Sequence, residues 1–414
     1  MTPVDAPLVP RQLREIAQLT GDEGGAQRVA WTDRWLLAQD WLRARLAEIP
    51  GVEVHTDAAG NIWGTLPGAS ERSVVIGGHL DSVPDGGWLD GALNVLASLA
   101  VLRAIADGPT PPLTVRLVDW ADEEGARFGR SLVGSSACAG SLDPETLRGL
   151  RDRDGIALPE ALAAQGVDLD RMLDSGAELR DVAAYLELHI EQGPVLERID
   201  RPLGVVTGIF GLQRHRVGFR GAHAHAGSTP MDLRRDAFLA AARSALAFRE
   251  GAVRRPDTRA TVGAVSVSPG IVTAFNGFCE LTLDQRALDA GVVAEMVEEA
   301  REASVRIAAD EGCEVEWTPQ FAQAPVAFDA DLVEIAAGVL RDLTGDAPRL
   351  PSGPLHDAAE MARVVPAVML FVRSIGGVSH TKEEDTAIED LELSVRALHE
   401  LALRTLTWAE HARP

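Results

Sequence analysis

The sequence has few cysteines and no long apolar run, and each absence narrows the class of protein. Cys138, Cys279 and Cys313 are the only thiols in 414 residues. They are too few and too scattered for a disulfide framework or a CxxC zinc site. No stretch of about 18 apolar residues occurs, which excludes a membrane-spanning helix. The start, MTPVDAPLVPRQLREIAQLT, lacks a basic segment followed by an apolar one, so we expect a cytoplasmic protein.

The charge balance is one-sided. The chain has 39 Lys and Arg against 62 Asp and Glu, a formal charge of −23. This excess argues against nucleic acid or an anionic membrane surface as a partner. A chain of 414 residues exceeds what one hydrophobic core usually serves, so we expect two or three domains. No repeat and no low-complexity segment is visible.

Strand-like and helix-like patterns alternate through the first half of the chain. The segments 73–78, 112–125 and 183–193 are short apolar runs that lead into glycines or acids, and a long apolar helical pattern fills 91–108. This alternation predicts an α/β domain whose mixed, largely parallel sheet is flanked by helices. In such domains, function lies at the carboxyl ends of the strands.

The pattern changes near residue 211. From there, segments typical of strands and helices follow in the order β-α-β-β-α-β, which predicts a small α+β, ferredoxin-like unit with helices on one face of its sheet. Near residue 327 the helical pattern and a buried-type strand return. We therefore predict a discontinuous catalytic domain, 1–210 and 327–414, interrupted by an inserted domain, 211–326.

His79, Asp90, Glu123, Glu124 and His189 lie at or just after predicted strand ends. Four of these residues and His380 form the set of candidate metal ligands: His79, Asp90, Glu124, His189 and His380. Imidazole and carboxylate groups bind zinc and similar divalent cations, and one carboxylate can bridge two ions. Each residue alone also has a structural explanation. A histidine after a strand is usually a surface or core residue, and the pair Glu123–Glu124 is usually a solvated turn.

Two further acids follow His79. Asp81 either caps the following loop or lies on the same side as His79 and holds the second ring nitrogen. Asp85 has no such placement, and we expect it to be a solvated loop acid.

Five ordered motifs carry a family resemblance: GGHLDSV…GGWLDG, DWADEEGARFG, LELHIEQGPVLE, GAHAHAGSTPMDLRRDA and GGVSHTKEED. They resemble the dinuclear metal amidohydrolases of the hydantoinase/carbamoylase branch of the aminoacylase–carboxypeptidase superfamily. That branch includes N-carbamoyl-L-amino acid hydrolases, allantoate amidohydrolases and β-ureidopropionases. The resemblance runs from about Leu13 to Leu406, and five matches in order are far more specific than any one of them.

The resemblance implies two divalent ions per chain, zinc first, with manganese, cobalt or nickel as alternatives. Asp90 would bridge them. His79 and His189 would complete the ligands of one ion, and Glu124 and His380 those of the other. Glu123 would be the general base, moving a proton from the attacking water to the leaving nitrogen, and Asp81 would orient His79.

The resemblance also implies substrate contacts and a partner. His225 would contribute to substrate and transition-state binding, and Gln192 would lie near the ureido group. Asn276 and Arg286 would bind the carboxylate of the substrate, and His356 would line the pocket. The inserted domain would act as a lid and mediate a homodimer.

The implied activity is hydrolysis of the C–N bond of an N-carbamoyl-L-amino acid, a small ureido acid, to the amino acid, carbon dioxide and ammonia. Allantoate or ureidoglycolate amidohydrolase, β-ureidopropionase and N-acyl amino acid amidase stay open as alternatives. A non-catalytic binding homologue is the alternative of another class, and it would be expected to lack some of the ligands.

The chain departs from the family pattern at SGPLHDA, residues 352–358. Pro354 and Leu355 replace two small residues, adding bulk and removing one backbone N–H. We therefore expect an altered substrate pocket. Arg373 has two interpretations, a contact for a substrate anion or a solvated charge at a strand end.

Overall fold

The structure, a computed structural model, describes residues 2–411. The helices and strands are α1 (Leu8–Thr20), α2 (Asp33–Ala47), β1 (Glu53–Thr56), β2 (Ile62–Leu66), β3 (Ser73–His79), α3 (Ala92–Ala106), β4 (Thr114–Trp120), α4 (Val133–Ala139), α5 (Leu158–Ala164), β5 (Val182–Ile190), α6 (Val195–Arg198), β6 (Leu203–Ile209), β7 (Gly211–Arg220), β8 (Ala224–His225), α7 (Ala237–Val253), β9 (Arg259–Ser268), β10 (Ala274–Phe275), β11 (Phe278–Ala287), α8 (Ala290–Asp310), β12 (Glu314–Gln323), β13 (Val326–Ala327), α9 (Ala330–Thr344), β14 (Arg349–Ser352), α10 (Asp357–Met361), β15 (Ala367–Val372) and α11 (Ile388–His411).

The chain divides into two compact units. The first runs to Thr207 and resumes at Phe328, and the second is Gly208–Ala327. The sequence pattern places the borders at 210/211 and 326/327, next to these positions.

The first unit is built on one sheet with the strand order β1-β2-β4-β3-β5-β15-β6. The four central strands β4, β3, β5 and β15 are parallel. Antiparallel strands flank them, β2 beside β4 and β6 beside β15. The α/β class with helices around a mostly parallel sheet is therefore confirmed.

The central strands are apolar because both of their faces are covered. Every residue of β3 is buried, and so is every residue of β15. Helix α3 packs against β3, β4 and β5 and is buried along nearly its whole length. This burial explains why α3 is apolar all round rather than amphipathic.

The second unit is a four-stranded antiparallel sheet with the order β12-β7-β11-β9. Helices α7 and α8 pack on one face of this sheet, over a core that includes Val217, Phe219, Phe248 and Leu281. Strands β7 and β11 alternate between buried and more exposed residues, as half-covered antiparallel strands do. The chain enters and leaves this unit through a short pairing of Gly208–Ile209 with β13.

No helix within residues 2–411 combines the length and hydrophobicity that crossing a lipid bilayer requires.

We expect the core of the central sheet to dominate the stability of the first unit. Leu188 on β5 is fully buried, so Leu188→Ala should lower the free energy of unfolding by about 2–5 kcal/mol through lost burial and the cavity left behind. Leu19→Ala, on the exposed side of α1, is the matched control and should stay within about 0.5 kcal/mol. Urea denaturation measures both, and equal effects would contradict this account of the core.

Candidate metal centre

The carboxyl ends of the four parallel strands bring distant parts of the sequence to one edge of the sheet. His79 is the last residue of β3, and His189 is next to last in β5. Glu123 and Glu124 follow β4, and His380 lies on the turn beyond β15. Asp90 lies two residues before the start of α3. Because these strands are neighbours in the sheet, all of these side chains converge.

The predicted ligands form two groups of three that share Asp90. In each group, His79–Asp90–His189 and Asp90–Glu124–His380, the candidate ligand atoms lie within 4.8 Å of one another. Asp90 Oδ1 is 3.1 Å from His189 Nε2 and 3.8 Å from His79 Nε2. Asp90 Oδ2 is 3.2 Å from His380 Nε2. The two carboxylate oxygens thus serve different groups, as a carboxylate bridging two cations would.

The ring orientations of His79 and His189 suit metal binding. His79 Nδ1 lies 3.1 Å from the carbonyl oxygen of Asp81, and His189 Nδ1 lies 2.9 Å from that of Ile190. A carbonyl only accepts a hydrogen bond, so each Nδ1 carries a proton, and each Nε2 is the atom that faces Asp90 and would offer its lone pair to a cation. Glu124 Oε1 is buried and has no hydrogen-bond partner among the described residues. This donor set fits divalent cations with nitrogen and oxygen ligands.

Asp81 contacts more than the ring that we expect it to orient. The nearer acceptor for His79 is the Asp81 backbone oxygen, and the Asp81 carboxylate lies 3.5 Å from Nδ1. That carboxylate accepts the backbone N–H groups of Glu123 at 3.2 Å and Glu124 at 3.1 Å. Asp81 therefore positions both the β3 end and the acidic turn after β4.

Glu123 lies beside the ligand groups but belongs to neither of them. Its Oε2 lies 3.8 Å from His79 Nε2, and its side chain is buried. The turn that presents it begins at Asp122, which has a left-handed φ of 59° and accepts the indole N–H of Trp31 at 2.7 Å. This hydrogen bond holds a backbone conformation that is costly for a residue with a side chain.

Glycine is needed where Asp90 meets α3. Gly91 has a φ of 63°, and a Cβ at this position would overlap the ring of His79. The close approach of the ring to the backbone therefore excludes any side chain here.

The acids and histidines shift one another's pKa. Burial and the charge of Asp90 raise the pKa of Glu124 to about 7. Burial also raises the pKa of Glu123 well above its usual range. The hydrogen bond to Asp90 raises the pKa of His380 to about 9. Burial alone would lower the pKa of His79, but the charges of Glu123, Asp81 and Asp90 raise it well above the usual value. Divalent cations would replace the protons held here.

The structure places the other predicted residues of the first unit beside this cluster. Gln192 Nε2 lies 2.8 Å from Asp90 Oδ2 and 3.2 Å from His380 Nε2. His356 is buried, its ring centroid lies 4.4 Å from that of His189, and its Nε2 lies 3.0 Å from Ser352 Oγ. Burial lowers the pKa of His356 well below its usual value, so the ring is neutral. Pro354 and Leu355 precede it and are partly exposed.

The predicted substrate residues of the second unit have local partners. His225 Nδ1 accepts the N–H of Gly227 at 3.1 Å, and the ring is exposed. Asn276 Oδ1 accepts the N–H of Gly270 at 3.0 Å, closing a turn. Arg286 Nε donates to Asp284 Oδ1 at 2.7 Å. Their predicted roles toward substrate stay predictions.

Several smaller expectations concern residues outside the cluster. Asp85 accepts the side-chain amide of Gln27 at 2.8 Å on an exposed loop. Arg373 forms an ion pair with Asp390 at 2.7 Å. This pairing favours a charge at a strand end over a contact for a substrate anion. The three cysteines are free and buried.

Two charged residues were not predicted as part of the site. Arg28 is fully buried and donates from Nε to the carbonyl of Leu80 at 2.7 Å. Burial lowers its pKa, whereas the nearby acids, Glu384 foremost, favour its charged form. Glu384 accepts the N–H of Asp90 at 2.9 Å. Glu384 lies within the motif GGVSHTKEED, so its spacing of four residues from His380 was the feature of the sequence that could have marked it as part of the site.

The chain is similar to known proteins along most of its length. The model of the peptidase family M20/M25/M40 matches residues 75–404. An N-carbamoyl-L-amino acid amidohydrolase from Geobacillus stearothermophilus is 37% identical over 379 residues, covering 91% of this chain and 92% of its own length. An allantoate amidohydrolase from Escherichia coli K12 is 34% identical, covering 93% and 94%.

The fold is similar to that of solved structures. An amidase of the hydantoinase/carbamoylase family from Burkholderia multivorans superposes with a TM-score of 0.90 at 34% identity, covering 98% of both chains.

The raised pKa values predict how cation binding depends on pH. A protonated His380 offers no lone pair, so cation affinity at Asp90–Glu124–His380 should rise as pH increases toward about 9, the pKa of His380. Each ion bound at pH 7 should release protons from this group. Calorimetric titration with Zn²⁺ in two buffers of different ionisation enthalpy measures the released protons. An affinity that is constant between pH 6.5 and 8.5 would contradict the assignment of His380 as a ligand.

Proposed function

The chain belongs to the peptidase family M20/M25/M40. From this membership and the site geometry, we propose that it is a dinuclear metal amidohydrolase. Its substrate would be an N-carbamoyl-L-amino acid, cleaved at the C–N bond. The observation that carries the proposal is the sharing of Asp90 by two three-residue groups of ligand type. The activity named for the Geobacillus stearothermophilus relative supports the substrate class.

In this proposal five residues hold two divalent ions. Asp90 would contribute to both sites, His79 and His189 would complete the ligands of one, and Glu124 and His380 those of the other. Zinc is our first candidate, with manganese, cobalt or nickel as alternatives, since nitrogen and oxygen ligands accept all four. Two bound cations would supply a lowered pKa for the attacking water and polarisation of the scissile carbonyl.

Glu123 is the proposed general base. It is buried beside the ligands but belongs to neither group. A carboxylate at this place could take a proton from water and return it to the leaving nitrogen. Hydrolysis adds one water and breaks the bond to the terminal amide nitrogen, so ammonia leaves, and the carbamate that remains on the amino acid then loses carbon dioxide.

An allantoate amidohydrolase is the second candidate. The Escherichia coli relative with that name is 34% identical, close to the 37% of the carbamoyl amino acid enzyme. Pro354 and Leu355, which alter the pocket, also permit an N-acyl amino acid amidase. Such an amidase releases a carboxylic acid and an amine but no ammonia, so product analysis separates it from both ureido hydrolases.

We further propose that the second unit is a ferredoxin-like lid and dimerisation domain. The order of its longer strands and helices, β7-α7-β9-β11-α8-β12, supports the ferredoxin-like fold. His225, Asn276 and Arg286, all in this unit, would contact the substrate. The guanidinium of Arg286 is held by Asp284 at 2.7 Å, an arrangement that pre-orients a carboxylate-binding group.

The proposed activity is tested with a substrate panel on the metal-loaded protein. The panel contains N-carbamoyl-L-amino acids, allantoate, 3-ureidopropionate and N-acetyl amino acids, with ammonia and amine measured separately. We expect N-carbamoyl-L-amino acids to be hydrolysed with equal release of ammonia and amino acid, and a chelator to abolish the activity. Turnover of N-acetyl amino acids alone would overturn the substrate class, and chelator-resistant turnover would overturn the mechanism.

The same assay tests the proposed role of Glu123 as general base. Glu123→Gln removes the proton acceptor but neither ligand group, so kcat should fall by at least about 100-fold while two ions remain bound by elemental analysis. Glu145→Gln, on an exposed segment, is the control and should retain full activity. Retained turnover in Glu123→Gln would assign the proton transfer to another group.

The dimer is proposed from an apolar stripe on the second unit. Leu239, Leu246 and Val253 recur at a spacing of seven residues on α7 and are 43%, 62% and 70% exposed. Strand β9 is an edge of its sheet and exposes Val265. An apolar stripe beside an open strand edge is typical of a surface that a second copy covers.

We expect the wild-type chain, 44.1 kDa, to sediment as a dimer. Leu246→Glu together with Val265→Lys should shift it to monomer. Leu19→Glu, which places the same charge on an exposed leucine of α1, should leave the dimer intact. A wild-type monomer, or a dimer unaffected by the double substitution, would contradict the proposed interface.

A further inference from the structure

Glu384 is a buried acid that none of the proposed roles uses. The residue is 1% exposed. Its Oε1 accepts the backbone N–H groups of Leu89 at 3.1 Å and Asp90 at 2.9 Å. Its Oε2 accepts the hydroxyl of Ser379 at 2.7 Å. One carboxylate therefore joins the turn that presents Asp90 to the turn that presents His380.

Both turns are shaped around this carboxylate. A Cβ on Gly87 would overlap the Glu384 side chain, so the turn before Asp90 leaves room for it only because position 87 is glycine. The backbone N–H of Glu384 donates to the carbonyl of Thr381 at 3.1 Å. The backbone of Glu384 is therefore hydrogen-bonded within the His380 turn, and its carboxylate accepts hydrogen bonds from the Asp90 turn.

The two ligand groups differ in what holds them. His79 and His189 are buried residues of β3 and β5, and the sheet fixes their positions. His380 lies on a turn beyond β15, with a left-handed φ of 57° and a side chain that is 49% exposed. Ser379 Oγ, held by Glu384, also lies 3.2 Å from Asp90 Oδ2. The position of His380 therefore depends on hydrogen bonds of its own turn.

We propose that Glu384 is a positioning residue that sets the separation of Asp90 and His380, and thereby the cation affinity of the Asp90–Glu124–His380 group more than that of the His79–Asp90–His189 group. The inference rests on the proposed metal centre. Three hydrogen bonds offset the cost of burying this carboxylate, and bonds to an ionised group are the stronger class. Loss of a residue that orients metal ligands typically weakens binding by about 10–100-fold.

The test is metal binding by the stripped full-length protein, measured by calorimetry with Zn²⁺ and by the visible absorption spectrum with Co²⁺. Wild type should bind two ions. Glu384→Ala should bind one ion with a smaller loss and the second about 10–100-fold more weakly. In Glu384→Gln, the amide oxygen can still accept both N–H groups and its nitrogen can donate to Ser379, so most of the second affinity should return.

Glu383→Gln is the matched control, because it removes the neighbouring exposed charge and should leave both affinities unchanged. Unchanged binding by Glu384→Ala overturns the inference, and so does equal weakening of both ions or a Glu384→Gln variant no better than Glu384→Ala. If Glu384→Ala does not fold, Ser379→Ala must weaken the second ion selectively. A wild-type chain that binds fewer than two ions contradicts the proposed function itself.

Discussion

The shared carboxylate of Asp90 is the constraint on which the site depends. Its two oxygens point to different partners, Oδ1 toward His189 and Oδ2 toward His380. For both contacts to form, neighbouring parallel strands must end at one edge, and α3 must start there without a side chain at Gly91. Burying this acid among others is costly unless positive charge compensates it. Histidines and protons supply that charge here, and cations would supply it in the proposed enzyme.

The turns around Asp90 carry conformations that the surrounding hydrogen bonds enforce. Asp122, Gln192 and His380 all have left-handed φ values between 56° and 59°. Each is adjacent to, or is itself, a residue of the site. Such conformations persist only where neighbours over-determine them. The hydrogen bond of Asp122 to Trp31 and that of the Gln192 N–H to Ser374 Oγ at 3.1 Å supply this restraint.

Much of the fold was predictable because its signals are local. The apolar run at 73–78 and the apolar helix at 91–108 correspond to β3 and α3, and the buried setting of both explains their lack of a polar face. Strand ends also marked His79, Asp90 and His189 as candidates. The contacts of the Asp81 carboxylate were not predictable, since its hydrogen-bond donors are backbone N–H groups of another turn. The direction of a backbone N–H group depends on the fold and cannot be read from the pattern of side chains.

The alternation of strands and helices, the acidic charge and the five ordered motifs could be read from the sequence, because each depends only on residue type and on hydrophobic periodicity along the chain. The folded chain added that the Asp81 carboxylate accepts the N–H groups of Glu123 and Glu124, that Glu384 joins the Asp90 and His380 turns, and that Arg373 pairs with Asp390. Those outcomes depend on distances between segments far apart in sequence. Such distances exist only once the parallel strands have paired.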